Sequence, residues 1–230
     1  MKRESGFTLI EIAIVLVIIG LLLGGVLKGQ ELITGARVRN IIQQQDGVKA
    51  AYFGFLDRYR ALPGDYSNAV ATITGITSTC GTGAGNGNGN GQIELAGTPT
   101  SASENVLVWE HLSKAGFING TYTCNATVSA TTSPSNPYGQ YLNLIYDATY
   151  ADTGTATSRH NLKTGGSSPS DLLGEIDRKV DDGKATSGSF RSMTAGTGVT
   201  AASCYDAATG GTGVWVSTPG FPSCGGATIF

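Results

Sequence analysis

Hydrophobic residues form one continuous segment near the start of the chain. From Phe7 to Leu27 the only charged side chain is Glu11. A helix of about 21 residues, rising about 1.5 Å per residue, is long enough to cross the hydrocarbon core of a bilayer. The pattern therefore predicts a membrane-length helix over 7–27, with one carboxylate close to its start.

Hydrophobic positions continue beyond this segment, now separated by polar residues. They follow steps of three and four residues, which is the spacing of one helix face. Pro63 and the turn residues around it end the pattern. The sequence thus predicts an amphipathic continuation of the helix over 28–60. Its inward positions are Val38, Ile41, Gln45, Val48, Tyr52, Phe55 and Tyr59.

The remaining residues, 61–230, are predicted to form a head with short strands. Apolar and β-branched stretches bounded by Gly, Pro, Asn and Ser indicate the strands. One helix is expected among them, with Ser103 as its N-cap and Gly116 as its stop. The fold class is therefore α+β, with an antiparallel sheet packed on the long helix. The expected strands cover 121–128, 140–147, 188–193, 213–218 and 227–230.

Composition favours an exported protein with a weakly charged surface. Charged residues make up 14% of the chain and the net charge is −2, whereas roughly a quarter of a typical soluble domain is charged. The small net charge excludes nucleic-acid binding by bulk charge, and no specific nucleic-acid partner is expected. The 34 glycines indicate long loops.

Catalytic motifs are absent from the sequence. It contains no G-x-S-x-G elbow, no H-E-x-x-H pair and only two histidines, so we expect no enzymatic activity. The Gly/Asn-rich tract at 81–91 lacks the lysine and following helix of a phosphate-binding loop. Its composition predicts a flexible surface loop instead.

The apolar segment has three ordinary explanations: a cleaved secretory signal, a plain membrane anchor or a buried core helix. A secretory signal would be followed by an A-x-A-like cleavage site, which residues 24–35 do not contain. A core helix of this length would have nothing to cover it in so polar a chain. The plain anchor is therefore the main alternative.

The order of features at the N-terminus distinguishes this chain from a plain anchor. A short polar leader, residues 1–6, ends in Gly6 immediately before Phe7-Thr8-Leu9-Ile10-Glu11. This arrangement resembles the prepilin leader of type IV pilins and type II secretion pseudopilins. The resemblance implies cleavage between Gly6 and Phe7 by a prepilin peptidase on the cytoplasmic side, followed by N-methylation of Phe7. The basic leader agrees with a cytoplasmic N-terminus.

Cleavage at this position would give Glu11 a partner. The new Phe7 amine is positively charged at neutral pH, and four residues of helix separate it from Glu11 by about 6 Å along the axis. A buried carboxylate is tolerated when it is paired, so the Phe7 amine of a neighbouring subunit is the partner we expect in an assembly. Pairing within one chain, or extension of Glu11 to the membrane surface, is the alternative. Gly20 and Gly24 lie on one helix face and allow close helix packing.

The resemblance also implies a function. It predicts a type IV pilin-like structural subunit that forms a homo-oligomeric helical filament with inner-membrane assembly machinery. Before assembly the chain would be a single-pass inner-membrane protein; afterwards it would lie in an extracellular filament or a periplasmic pseudopilus. One alternative is a minor pilin or pseudopilin whose head binds a surface, DNA or an exported protein. Another is a periplasmic membrane-anchored protein whose N-terminus only mimics the motif.

The head contains all four cysteines of the chain. The four cysteines lack C-x-x-C spacing and fit disulfides in an oxidising compartment. Of the three possible pairings we expect Cys80 with Cys124 and Cys204 with Cys224.

Some pseudopilins bind calcium in a loop of the head, and three carboxylates in an acidic stretch of this chain suit that ion. The solvated end of a helix is the preferred interpretation of this stretch, and no cofactor is otherwise expected. The three carboxylates are Asp177, Asp181 and Asp182.

Overall fold

The computed structural model describes residues 9–77, 80, 85–95, 103–125, 128–194, 201–207, 211–217 and 220–230. The chain forms two compact units, Met1–Arg37 and Val38–Phe230. Helix α1 (Leu9–Tyr59) contributes residues to both units. Its C-terminal part therefore belongs to the same compact unit as the predicted head, residues 61–230.

The C-terminal part of α1 buries the face that the hydrophobic spacing predicts. Its buried residues are Val38, Ile41, Gln45, Val48, Ala51, Tyr52 and Phe55. The helix ends at Tyr59, ahead of Pro63, and Arg60 follows in a left-handed conformation with φ of 54°. Gln45 replaces an apolar residue on the buried face, and its Oε1 accepts a hydrogen bond of 2.7 Å from the Thr228 hydroxyl.

The predicted helix of the head is α3 (Glu104–Lys114), and Gly116 ends it as expected. Gly116 has φ of 80°, a conformation that glycine adopts without a Cβ penalty. Its N–H donates to the Ser113 carbonyl, and the Phe117 N–H donates to the Leu112 carbonyl. These two bonds define a Schellman motif. Ser103 occupies the N-cap position as expected, although its side chain makes no capping bond; its carbonyl accepts bonds from the Val106 and Leu107 N–H groups.

Three further helices lie in the described part of the chain. A second helix of eleven residues, which the sequence suggested only as a helix end, is α4. The two remaining helices each span four residues. In chain order they are α2 (Ala69–Thr72), α4 (Ser170–Val180) and α5 (Ala201–Cys204).

Four strands form one antiparallel sheet. They are β1 (Asn143–Asp147), β2 (Arg159–Lys163), β3 (Phe190–Ser192) and β4 (Gly226–Ile229), and their order is β1-β2-β4-β3. Strand β4 lies between β2 and β3, with Thr228 opposite both Leu162 and Phe190. Strands β1 and β3 fall within predicted stretches, and β4 overlaps the stretch 227–230 but begins and ends one residue earlier.

Two predicted strands are wrong and one strand was missed. The described residues of 121–128 contain no strand, and within 213–218 Val214 and Trp215 form only isolated bridges. Strand β2 was not predicted, because its sequence Arg-His-Asn-Leu-Lys alternates too weakly in polarity. Its burial comes from the neighbouring strands: Leu162 is fully buried between them.

The two largest of four clusters of buried side chains form most of the core of the unit Val38–Phe230. In the first, Tyr52 and Phe55 of α1 join Trp109 of α3 and residues of β1 and β2. In the second, Val38 and Ile41 of α1 join residues of α4 and β3 and Trp215. The sheet and α3 thus pack on the C-terminal part of α1, which confirms the α+β architecture.

Two phenylalanines on α1 allow a matched test of this packing. Phe55 is fully buried and Phe53 is 47% exposed. Phe55→Ala should lower the free energy of unfolding by about 3 to 5 kcal/mol, because it removes a buried aromatic ring and leaves a cavity. Phe53→Ala should cost roughly 1 kcal/mol. Urea titration of the detergent-solubilised chain, followed by tryptophan fluorescence, gives both values; equal losses would contradict the described core.

Candidate functional site

The N-terminal part of α1 exposes a long apolar surface. Leu9 is 89% exposed, Leu21 74% and Leu27 67%. The helix contains a segment with a mean hydropathy of 2.8 that is entirely unburied. Large exposed apolar surfaces mark sites of contact with lipid or protein. By length and composition this segment is a candidate membrane span near the N-terminus.

Glu11 lies in the first turn of the described helix and is exposed. The positive end of the helix dipole favours a carboxylate at this position. Gly6 and Phe7, the predicted cleavage and methylation residues, lie outside the described part of the chain. The predicted pairing between Glu11 and the Phe7 amine stays a prediction.

Gly20 and Gly24 lie in the exposed segment. A Cβ placed on either residue would meet no heavy atom within 4 Å, apart from neighbouring residues of the helix itself. Packing inside the described chain therefore does not require glycine at these positions. The two residues are four apart and share a helix face, where small side chains permit close approach of another helix.

The three acidic residues of the calcium hypothesis converge at the C-terminal end of α4. One carboxylate oxygen from each of Asp177, Asp181 and Asp182 lies within 4.8 Å of the others. All three carboxylates already accept hydrogen bonds. Asp177 is fully buried and accepts bonds from Trp215 Nε1 at 2.6 Å and from the Gly183 N–H at 3.1 Å.

Hydrogen bonding of the other two carboxylates fixes the turn after α4. Asp181 accepts bonds from the Ser189 and Phe190 N–H groups, and Asp182 accepts one from the Lys184 N–H. Burial raises the pKa of Asp177 to about 6, and the two neighbouring carboxylates add to this rise. These contacts give the cluster a structural role in closing a turn on α4.

A second carboxylate site, missed by the sequence analysis, anchors the Gly/Asn-rich tract. Asp65 Oδ1 accepts bonds from the Gly89 and Asn90 N–H groups, at 2.7 and 3.0 Å. Its Oδ2 accepts a bond of 2.8 Å from the Gly91 N–H. The described part of the tract, 85–91, is therefore hydrogen-bonded to the head, and residues 88–91 are exposed, as expected of a surface loop.

Glu104, at the start of α3, holds the other side of the same loop. Its two carboxylate oxygens accept bonds from the Asn88 N–H at 2.8 Å and from the Glu94 N–H at 3.1 Å. Burial raises the pKa of Glu104 to about 7, although these two bonds oppose the rise. Gly87 approaches the backbone so closely that a Cβ there would lie 2.2 Å from the Asp65 carbonyl carbon.

Two disulfides link loops of the head. Cys80 is bonded to Cys124 and Cys204 to Cys224, and these pairs agree with the expected pairing. The second bond joins residues 20 positions apart, whereas the first spans 44 positions. Cys124 also donates its backbone N–H to Glu110 of α3, so the first disulfide ties the Cys80 segment to that helix.

Residues 1–27 match the protein family described as the prokaryotic N-terminal methylation motif. This motif is the prepilin signature of type IV pilins and pseudopilins, so the resemblance of the N-terminus is confirmed. The match ends where the apolar segment ends. No curated protein and no solved structure matches the chain significantly.

The buried Glu104 gives the head a testable pH dependence. The pKa of Glu104 is about 7 in the folded state and about 4.3 in an unfolded chain. The folded state thus binds the Glu104 proton more tightly, so the contribution of Glu104 to the free energy of unfolding should rise as pH falls from about 8 to 4, by up to about 4 kcal/mol.

Urea titrations of wild type and Glu104→Gln across this pH range test the prediction. The slope against pH is the readout, because the amide also changes the loop contacts. Glu104→Gln should flatten the slope up to about pH 7, whereas Asp177→Asn should flatten it only below about pH 6. An unchanged slope in Glu104→Gln would contradict the assignment.

Proposed function

We propose that this chain is a structural pilin that assembles into a type IV pilus-like filament after leader cleavage and N-methylation. The observation that carries the proposal is the overlap of two features. The segment that matches the methylation motif, 1–27, contains the part of α1 whose apolar side chains are exposed. A prepilin peptidase, inner-membrane assembly machinery and further copies of the chain are the proposed partners.

The apolar segment has two proposed environments in succession. Before assembly the helix lies in the inner membrane, where lipid covers its side chains. After assembly the same side chains are covered by the helices of neighbouring subunits. Both environments are apolar, so transfer between them needs little change in hydrophobic free energy, and helix packing decides the balance. The Gly20 and Gly24 face offers the close contact that such packing uses.

Glu11 is the proposed register residue of the filament. In a bundle of apolar helices a carboxylate needs a charged partner, and the Phe7 amine of a subunit shifted by about one turn supplies it. The pairing is satisfied at one axial offset between neighbouring helices. The filament would thus gain its register from one charge pair within an otherwise non-directional apolar contact.

A pseudopilin or minor pilin with a binding head is the second candidate, because the same N-terminal motif serves pilins and pseudopilins. Abundance separates a major subunit from a minor one. Sheared filaments from the native cells should contain this chain as their main component, identified by its mass. Its presence at trace level would favour the minor-pilin alternative. The proposed role is structural in every case, without catalytic steps.

Processing is the first test of the proposal. Mass spectrometry of the mature protein should find Phe7 at the N-terminus with one added methyl group. Gly6→Val should retain the leader, because a bulky side chain crowds the peptidase site. An intact Met1 in assembled protein, or cleavage after Leu27, would contradict the prepilin mechanism.

Glu11→Gln tests the register pair. The variant should insert and be processed normally, because an amide is easier to bury than a carboxylate. Filament yield should fall, because the Phe7 amine of a neighbouring subunit then lacks its partner in an apolar core, at a cost of about 3 to 5 kcal/mol per contact. The measurement is sheared-filament protein relative to membrane-fraction protein.

Glu31→Gln is the matched control for this test. Glu31 is an exposed carboxylate on the same helix and forms an ion pair of 2.6 Å with Lys28. Exposed pairs of this kind contribute about 0 to 1 kcal/mol, so filament yield should stay close to that of wild type. Equal filament yields for wild type and Glu11→Gln would contradict the register role of Glu11, whereas absence of this chain from filaments in both would favour the plain membrane anchor.

A further inference from the structure

The chain contains four Asn–Gly dipeptides. Three are consecutive, beginning at Asn86, Asn88 and Asn90, and the fourth begins at Asn119. Asn–Gly is a reactive sequence, because glycine has no side chain to keep its backbone nitrogen from the preceding amide carbon. Attack of that nitrogen on the Asn side chain expels the amide as ammonia and leaves a cyclic imide.

Exposure alone does not distinguish these sites. Asn88, Asn90 and Asn119 are all exposed. Sequence alone would therefore predict comparable reactivity for the three residues. The difference lies in the hydrogen bonds of the two groups that must react, the glycine N–H and the asparagine amide.

The reacting nitrogens of the tract are held by one carboxylate. The Gly89 N–H donates to Asp65 Oδ1 at 2.7 Å, and the Gly91 N–H donates to Asp65 Oδ2 at 2.8 Å. Each N–H points at a fixed acceptor in place of the preceding side chain. The loop must open before either nitrogen can attack.

The asparagine amides of the tract are held as well. Asn88 Nδ2 and Asn90 Nδ2 donate to the same Glu94 oxygen, at 3.1 and 2.8 Å. Asn88 Oδ1 accepts the Asn90 N–H and Asn90 Oδ1 accepts the Gln92 N–H. Both ends of each amide are therefore held by hydrogen bonds, which must break before the side chain can turn toward the attacking nitrogen.

Asn119 is in a different situation. It lies in a bend after α3, next to Gly120, and both residues are exposed. Within the described part of the chain, neither the Asn119 side chain nor the Gly120 N–H has a hydrogen-bond partner. Rotation of the side chain toward the Gly120 nitrogen thus requires no bond to break.

We propose that Asn119 is a site of spontaneous deamidation and that Asp65 and Glu94 protect Asn88 and Asn90 from the same reaction. At Asn119 the Gly120 nitrogen bonds to the side-chain carbon, its proton passes through solvent to the leaving amide, and ammonia departs. Water then opens the imide to aspartate or isoaspartate. Protection matters at the tract, because new carboxylates there would repel Asp65, Glu94 and Glu104.

The experiment follows deamidation in the folded full-length protein in detergent. The sample is held at mildly alkaline pH, and peptide mapping measures the conversion of each asparagine over time. Asn119 should convert at least about tenfold faster than Asn88 or Asn90, because opening a loop held by charge-assisted hydrogen bonds limits reaction at the tract. The protein unfolded in urea supplies the intrinsic rate of each site and should abolish the difference.

Two variants test the assigned protection. Asp65→Ala frees the Gly89 and Gly91 nitrogens, and Glu94→Ala frees the two amides, so each should accelerate conversion at Asn88 and Asn90 and leave Asn119 unchanged. If Asp65→Ala fails to fold, the proposal is still tested by Glu94→Ala and by the rates of Asn119, Asn88 and Asn90 in the folded wild type. Conversion of Asn88 and Asn90 as fast as Asn119 in the folded wild type would overturn the proposal, as would an inert Asn119.

Discussion

The head depends on polar side chains of α3 that bind the backbone of the surrounding loops. Its strands have only three to five residues, so strand pairing satisfies few backbone groups, and a buried N–H without a partner is costly. Glu104 binds two loop N–H groups, and Glu110 binds those of Thr77 and Cys124. His111 accepts the Gly64 N–H and contacts the Gly85 carbonyl. One helix thereby fixes several loops that have little regular structure of their own.

Local signals in the sequence predicted the parts of the fold that local chemistry determines. The step of three and four residues placed the buried face of α1, and Pro63 and Gly116 marked where two helices stop. Strand β2 escaped prediction because its burial is supplied by partners: Lys163 is 5% exposed and pairs with Asp147 of β1. Trp215 suggested a strand, but its indole N–H binds Asp177, and the segment makes only isolated bridges.

The same distinction applies to the candidate sites. Glu11 could be proposed from the sequence because its expected role depends on a few neighbouring residues at the N-terminus. The anchor of the Gly/Asn-rich tract was missed because its contacts are distant in sequence: Asp65 reaches Gly91 across 26 positions, and Glu104 reaches Asn88 across 16. Composition described the tract as glycine-rich and therefore flexible. The structure shows that glycine there also permits the close approach of Gly87 to the backbone of Asp65.

The head and the apolar segment obtain their burial from different sources. All four buried clusters of the described residues consist of residues from Val38 onward, so the core of the head is complete within one chain. The apolar side chains of the N-terminal segment are exposed, and a large exposed apolar surface marks a site of contact with lipid or protein. Charged side chains of the head therefore gain their partners when the head folds. The partner of Glu11 instead depends on what covers the apolar segment. Under the proposed function, this separation lets a folded head remain unaltered while the segment passes from membrane to filament.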